Sequence, residues 1–472
     1  MATALKIQNN YSWLYTDNNK IRKTLWKALR FRDNNYFHSR LYKQKLWDGY
    51  NEFFKQESGR FLTGLIPEVE AALELLKEPY DVVDERDCID FDVSGIDESF
   101  MGDPFKLYDY QVELVDLIIK YKRGIIQAPT AAGKSLIMTA ILKALPPDVP
   151  AIVTSKSTSL MSQVYDDMVK FDIPGAGKVF GSRKADFKPG LRTAVNIDSI
   201  HKVENLLPHV KCLIVDEAHL MMSKKPKKYY NKMKSACIRA GVSATPFKFG
   251  GKDKTQKYTV KGWFGPILRT QAAGGDGILT TKKLQDREIL SSSHCVFYPI
   301  KTPPLPYHIY QDAVTDGIAE NIDFHNIVSK LSQSLKGRTL ILVERLEHGN
   351  YLERMIPNSI WIKGETSLDD RKVVIEKLKI EKDVVAIATT GIFNAGVNFF
   401  IHNLINAAGG KAEHQIIQRM GRGLRTAKDK ETLKYYDFVF HINDYLYDHS
   451  KQRIDILKKE GHTVEVKEEV DL

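Results

Sequence analysis

The sequence predicts an α/β fold: two parallel-sheet domains in tandem, preceded by a small α+β accessory domain. Short β-rich apolar runs alternate with longer amphipathic segments, the pattern of a parallel sheet covered by helices. These runs fall into two series separated by a Gly-rich join, and the first hundred residues carry a charge pattern of their own. At 472 residues the chain is also too long for one ordinary core. The divisions this suggests are 1–103, 104–280 and 281–472.

In the accessory segment, Lys20 to Arg60 holds 11 Lys/Arg against 4 Asp/Glu, interleaved with Trp26, Tyr36, Phe37, Tyr42 and Trp47. Such a stretch can follow a phosphate backbone and stack a base, or it can be a solvated face. Trp47, beside Asp48-Gly49, is expected to be core, packed under a turn. From Glu78 to Asp103 there are 10 Asp/Glu against one Arg and no helical period, which reads as strands and linker.

The first series of buried-strand runs is "GIIQA", "AIVTS", "TAVNI", "CLIVDEAH" and "AGVSAT". The second begins near Cys295 with "CVFYPI" and continues through "TLILVE", "SIWIKG", "VVAIATT", "LINAAG" and "YYDFVFHI". Phe247 to Ser293, including "AAGGDG", joins them. Lys224 to Lys261 has 12 Lys/Arg against one acid, with Tyr229 and Tyr230 embedded. The same two readings, nucleic-acid track or solvated face, apply there.

Hydrophobic residues make up 43% and charged residues 27%, an ordinary soluble balance. No apolar run approaches the roughly 20 residues that cross a bilayer, and the N-terminus lacks the layout of a secretion signal. A cytoplasmic protein is expected. The net charge of +10 suits a polyanion. Cys88, Cys212, Cys237 and Cys295 are scattered without metal-ligand spacing, so neither a zinc site nor a disulfide is expected.

Three groups of residues carry chemistry. "APTAAGKS", Ala128 to Ser135, follows an apolar run and precedes a helical one, the setting that aims backbone N–H groups at phosphate. Ala128 replaces the usual first glycine of such a loop. Gly133 lets the backbone approach, Lys134 reaches the β/γ-phosphates and Ser135 ligates Mg²⁺. The run "KCLIVDEAHL" ends in Asp216-Glu217, 82 residues after Lys134. Asp216 is the candidate for holding Mg²⁺ through water, and Glu217 for orienting and deprotonating the attacking water. "HQIIQRMGRGLR" offers Arg419, Arg422 and Arg425 against the charge that develops in hydrolysis.

In order along the chain stand "LYDYQ", "APTAAGKS", "AIVTSKSTSLMSQ", "DEAH", "SATP", "GRTLILVE", "ATTGIFNAGVN" and "QRMGRGLR". This series resembles the superfamily 2 helicases and translocases over residues 105 to 445. The resemblance implies two RecA-like domains with ATP and Mg²⁺ bound between them. It also implies a nucleotide site built from Tyr108, Gln111 as the adenine reader, Pro129, Thr130, Ala131, Ala132, Gly133, Lys134, Ser135 and Gly396. Asp216 and Glu217 match the magnesium and water-activating acids. His219, Ser243 and Thr245 match the segments that couple hydrolysis to movement, and Gln418, Arg422 and Arg425 the motif that meets the γ-phosphate. Two departures stand out: Ala131-Ala132 where many members have a glycine, and Asn398 where an acid is frequent.

The accessory stretch "LYKQKLWDGYNEFFKQESGRFLTGLIPEVEAALELL" resembles the domain preceding the motor in UvsW-type helicases of tailed bacteriophages. That implies ATP-driven remodelling of branched DNA: fork regression, Holliday-junction migration and unwinding. The host cytoplasm would be the compartment if a phage encodes the chain. A monomer gripping DNA through phosphates, without sequence preference, is expected. Lys156, Ser157, Ser199, Thr389 and Thr390 match strand-facing motifs, although turn and cap roles fit each of them equally. An RNA helicase, a restriction motor, and a clamp whose ATPase only switches affinity are the alternatives.

Overall fold

The computed structural model describes residues 2–91, 94–181, 187–247, 251–363, 380–391, 400–424 and 432–470. They form two compact units, Met1–Ala128 with Gly133–Leu279, and Pro129–Ala132 with Thr280–Leu472. Among the described residues no helix is long and apolar enough to cross a membrane.

The first unit opens with a four-stranded sheet of β1 (Thr3–Ile7), β2 (Tyr11–Tyr15), β5 (Arg60–Leu62) and β6 (Tyr80–Asp84), in the order β5-β2-β1-β6. A separate ribbon pairs β3 (Arg30–Arg32) with β4 (Tyr50–Glu52). Helix Asn19–Ala28 begins at Asn18, whose side chain accepts the Lys20 N–H, satisfying one of the donors a helix start leaves open. Its Ile21 and Leu25, with Val69 and Leu73 of helix Ile66–Leu75, close the core over Leu5, Leu14 and Phe61.

This small sheet is fixed to the α/β sheet beside it by polar groups buried away from water. Arg239, fully buried, donates to the Asn10 Oδ1 atom and to the carbonyls of Met233 (2.8 Å) and Ala236 (3.1 Å). Arg123 donates to the carbonyls of Asn9 and Trp263. Asn9 and Asn10 in turn donate to the carbonyls of Lys234 and Asn231, each at 3.0 Å. Burial pushes Arg239 down to about 10 and Arg123 well below its usual value. At Gly64 a Cβ would meet the Lys261 carbonyl oxygen at 2.1 Å, so only glycine allows the approach.

Cys88, just past β6, is joined by a disulfide to Cys237, with Cα atoms 5.4 Å apart. The expectation of four unpaired thiols is thus corrected for two of them. The bridge spans 149 residues of sequence, a pairing set by the fold and invisible in local spacing. Cys212 and Cys295 are free and buried, as small apolar side chains.

The α/β part of the first unit is a seven-stranded sheet: β7 (Arg123–Gln127), β8 (Ala151–Ser155), β9 (Ala176–Val179), β10 (Phe187–Lys188), β11 (Arg192–Asn196), β12 (Cys212–Asp216) and β13 (Ile238–Ser243). Their order is β10-β9-β11-β8-β12-β13-β7, parallel except at the β10 edge. The second unit holds β14 (Ser292–Ile300), β15 (Thr339–Val343), β16 (Ile360–Ile362), β17 (Val385–Thr389), β18 (Asn403–Asn406), β19 (Thr432–Phe440) and β20 (Thr463–Val466). These run in the order β16-β17-β15-β18-β19-β14-β20, with every described pairing parallel. Every apolar run read as a strand is a strand. Runs such as Cys212–Asp216 are buried at every position, because helices cover both faces of a parallel sheet. The two-sheet α/β fold preceded by a small α+β domain is therefore the fold of this chain.

Candidate functional site

Strand register aligns the carboxyl ends of the first α/β sheet. Ser243 lies opposite Gln127, Asp216 opposite Val242, and Asn196 opposite Ser155, so β7, β13, β12, β8 and β11 finish along one edge. Ligands of open α/β sheets bind at such an edge.

The loop "APTAAGKS" leaves that edge directly after β7. The Ala128 N–H donates to the Ser243 carbonyl at 3.1 Å, and the Ala132 N–H to that of Pro129 at 3.1 Å. Ala131 and Gly133 take left-handed backbone conformations, φ 69° and 78°. That geometry turns successive amides toward one concavity, a nest for an anion. Gly133 caps helix Lys134–Ala144 without any side-chain cap, which leaves the helix start as a phosphate seat. A Cβ at Gly133 would lie 2.3 Å from the Gln111 Nε2 atom. Glycine is favoured there by its left-handed backbone, and the Gln111 side chain crosses the loop beside it. Gln111 is buried, and its Oε1 accepts the Tyr108 N–H at 2.9 Å across the first turn of helix Asp109–Tyr121. Tyr108 is 46% exposed and stacks on Tyr110, centroids 5.6 Å apart. The Lys134 ammonium folds back over the loop to 3.5 Å from the Ala128 carbonyl oxygen. Thr130 is buried and Ser135 half-buried.

At the end of β12, Asp216 is buried. Glu217 follows at φ 46°, a strained conformation for a residue with a Cβ and a common mark of functional sites. Ser243 is the hub beside it. Its hydroxyl donates to Glu217 Oε2 at 3.2 Å and accepts the Thr245 N–H at 3.1 Å. His219 Nδ1 lies 2.8 Å from the same Ser243 oxygen and 3.4 Å from Glu217 Oε2. With the hydroxyl's one proton directed to Glu217, the 2.8 Å contact is a hydrogen bond when His219 carries its proton on Nδ1. The structure thus brings Glu217, His219, Ser243 and Thr245 into one hydrogen-bonded group.

These residues suit a nucleoside triphosphate with Mg²⁺. The nest and the bare helix start suit phosphate. Asp216 and Ser135 suit a cation that takes one or two protein ligands and completes its shell with phosphate and water. Among the described residues no group of three or more His, Cys, Asp or Glu could hold a metal by itself.

Of the strand-facing candidates in this unit, Ser157 is an N-cap, its Oγ accepting the Leu160 N–H at 3.2 Å. Lys156 is exposed, and its carbonyl accepts from Asn196 Nδ2 at 2.9 Å. Ser199 is half-buried in the 3₁₀ turn that follows β11. Asn196 therefore ties the loop carrying Lys156 and Ser157 to the strand leading to Ser199. Tyr229 and Tyr230, by contrast, are 7% and 0% exposed and sit in the core with Trp263 and Phe264. They are not available to a base.

In the second unit, Thr389 ends β17 and Thr390 donates to Glu344 Oε2 at 2.6 Å. The three arginines read together in the sequence have separate settings. Arg419 is 2% exposed and donates to Asn406 Oδ1 (2.9 Å) and the Gly409 carbonyl (3.2 Å), with burial holding it below its usual value. It anchors helix Glu413–Gly423. Arg422 and Gln418 are half-buried on that helix, four residues apart and so on one face. Gly423 packs its bare Cα against Leu433, where a Cβ would come within 2.6 Å of the side chain. Arg425 and Gly396 lie outside the described residues, as does Asn398.

Sequence reasoning missed the groups behind Arg419. Asn406 also donates to Asp437 Oδ2 at 2.8 Å. Asp437 accepts two bonds from Arg453, at 2.9 and 2.8 Å, and one from the Tyr435 hydroxyl at 2.6 Å. Asp437 and Arg453 are 0% and 1% exposed. An acid inside the apolar run "YYDFVF" was the available signal, since a buried carboxylate requires a partner.

Comparison with known proteins matches residues 108–249 to the DEAD/DEAH box helicase family and residues 323–427 to the helicase conserved C-terminal domain. The ATP-dependent DNA helicase uvsW of Enterobacteria phage T4 is 22% identical over 358 residues, covering 70% of this chain and 68% of that protein. The DNA 3'-5' translocase XPB2 of Sulfurisphaera tokodaii is 25% identical over 384 residues, covering 70% and 81%. Among solved structures, a fragment of a putative HsdR subunit of a type I restriction enzyme from Vibrio vulnificus shares the fold. Its TM-score is 0.54 at 15% identity, covering 76% of this chain and 67% of that one.

Proposed function

The chain belongs to the superfamily 2 DEAD/DEAH box helicases and is an ATP-driven helicase, and from that premise we propose that its track is DNA and its substrate branched DNA. It remodels forks and four-way junctions by regression, branch migration and unwinding. The DNA reading is supported by two relatives that are DNA motors by name. It also agrees with the net charge of +10.

Bound ATP and Mg²⁺ supply the phosphoanhydride to be cleaved and the charge that steadies its leaving oxygens. Gln111 and Tyr108 receive the base, and the amides of Thr130, Ala131 and Gly133 with Lys134 receive the phosphates. Ser135 and Asp216 hold the cation. Glu217 orients the attacking water and takes its proton, while Gln418, Arg422 and Arg425 provide positive and polar groups to the γ-phosphate. Ser243 carries the outcome onward, and this is the observation that supports the reading most. A change of charge or position at Glu217 alters the proton that Ser243 shares with it. His219 and the Thr245 amide, on the same oxygen, must then move. The strand is held through phosphates by Lys156, Ser157 and Ser199 in the first unit and by Thr389 and Thr390 in the second.

The test is ATPase turnover of the full chain without nucleic acid and with linear DNA, forked DNA and forked RNA. Forked DNA is expected to stimulate most. Lys134→Ala should abolish turnover, and Glu217→Gln should lower kcat by about 10²- to 10⁴-fold while nucleotide still binds. Equal turnover with and without any nucleic acid contradicts the motor reading, and a preference for forked RNA contradicts the DNA reading.

A further inference from the structure

Residues 33–49, between β3 and β4, add no side chain to the buried core of the accessory domain. The segment nevertheless leaves Phe37 50%, Leu41 53% and Leu46 73% exposed. Clustered large apolar groups in water mark a contact surface more often than chance. Phe37, Tyr42, Lys43, Lys45, Leu46, Trp47 and Asp48 line a cavity of about 610 Å³ that is open to solvent. That size lies within the ~300–1,000 Å³ of clefts that take small molecules. Trp47 was expected to be core. It is half-exposed, and its indole N–H donates to the Tyr50 carbonyl at 2.7 Å, which fixes the ring as a wall.

The other walls are also held. Tyr42 stands edge-on to Tyr36, centroids 4.7 Å apart, and the Arg32 guanidinium covers Tyr36 at 4.0 Å. The acid in the cavity is already engaged: Asp48 pairs with Arg30 and accepts the Tyr50 N–H at 3.0 Å. Lys43 and Lys45 then set the sign of the cavity's charge. Lys45 sits at φ 58°, closing the short helix Arg40–Lys43, where its N–H donates to the Tyr42 carbonyl and the Leu46 N–H to that of Leu41. Glycine is the favoured residue in that position, so the lysine is held there against backbone preference.

We propose that this cavity takes one unpaired base of a DNA strand, stacked against Tyr42 and Trp47, with the flanking phosphates on Lys43 and Lys45. Aromatic faces accept any base, and cations beside them follow a strand without reading sequence. A base held in a duplex must first be unstacked and unpaired, which costs free energy, so the site favours the single-stranded part of a branch. This rests on the DNA reading above.

The test uses the full chain without ATP, measuring fluorescence anisotropy of a labelled oligothymidylate and of a blunt duplex of equal length. Trp47→Ala should weaken oligothymidylate binding by roughly 10-fold and duplex binding by less than about 2-fold, with Trp47→Phe recovering most of the loss. Lys45→Gly relieves the backbone and so keeps the fold. It should weaken oligothymidylate binding and make its log–log salt slope shallower by ~0.7. Oligothymidylate binding unchanged in both variants, or lost equally with duplex binding, overturns the proposal. If forked DNA still stimulates the ATPase, only the cavity proposal falls. If the wild-type ATPase ignores DNA, the motor's DNA reading falls with it.

Discussion

In Lys224–Met233 and in residues 33–49, cationic side chains alternate with aromatic rings, yet the first set of rings is core and the second is surface. Pro226, Tyr229, Tyr230 and Met233 recur at intervals of three and four and are all buried, one stripe of an amphipathic helix. Lys224, Lys225 and Lys228 fall on the solvent side. Tyr36, Phe37, Tyr42 and Trp47 follow no such period, and the regular structure near them is two short turns, Tyr36–His38 and Arg40–Lys43. Composition made the two stretches look alike. Period decides between them, because rings that recur on one helical face can pack into a common core.

Substitutions distinguish the buried rings from the exposed ones. The largest expected effect is Tyr230→Ala, which removes a fully buried ring packed edge-on to Trp263 and Phe264. It should cost about 3–5 kcal/mol by urea unfolding. Next come two substitutions that relieve left-handed backbone, Ala131→Gly at φ 69° and Lys45→Gly at φ 58°. Each should raise stability by about 1 kcal/mol, seen as a higher urea midpoint at unchanged slope. Trp47→Ala should shift stability by less than about 1 kcal/mol, and a loss matching that of Tyr230→Ala would erase the distinction between surface and core. Lys224→Ala with Lys228→Ala should be smallest, within about 0.5 kcal/mol. A larger change would mean that this lysine face supports the fold.

Much of the fold was legible because parallel strands buried on both faces leave continuous apolar runs, as in "CLIVD" and "TLILV". The edge where Asp216, Ser243 and Gln127 finish was legible in part. Each motif stood at the end of its run, but the register that aligns them comes from the sheet. Three features left no local signal. Cys88 and Cys237 are 149 residues apart. Asn9 and Asn10 are of a residue type common in turns, although two buried arginines depend on them. Arg419 shares a motif with Arg422, and only burial separates the anchor from its half-exposed neighbour.

In the proposed function, ATP turnover at Lys134 and Glu217 drives rearrangement of branched DNA. This coupling is tested most directly by strand displacement and junction migration on matched linear, forked and four-way substrates, with the Glu217→Gln protein as control. ATP-dependent conversion of forks and four-way junctions is expected, with little change in linear duplex and none with the control. Binding and ATP hydrolysis without conversion of any branched substrate would contradict it, leaving a clamp whose ATPase only switches affinity.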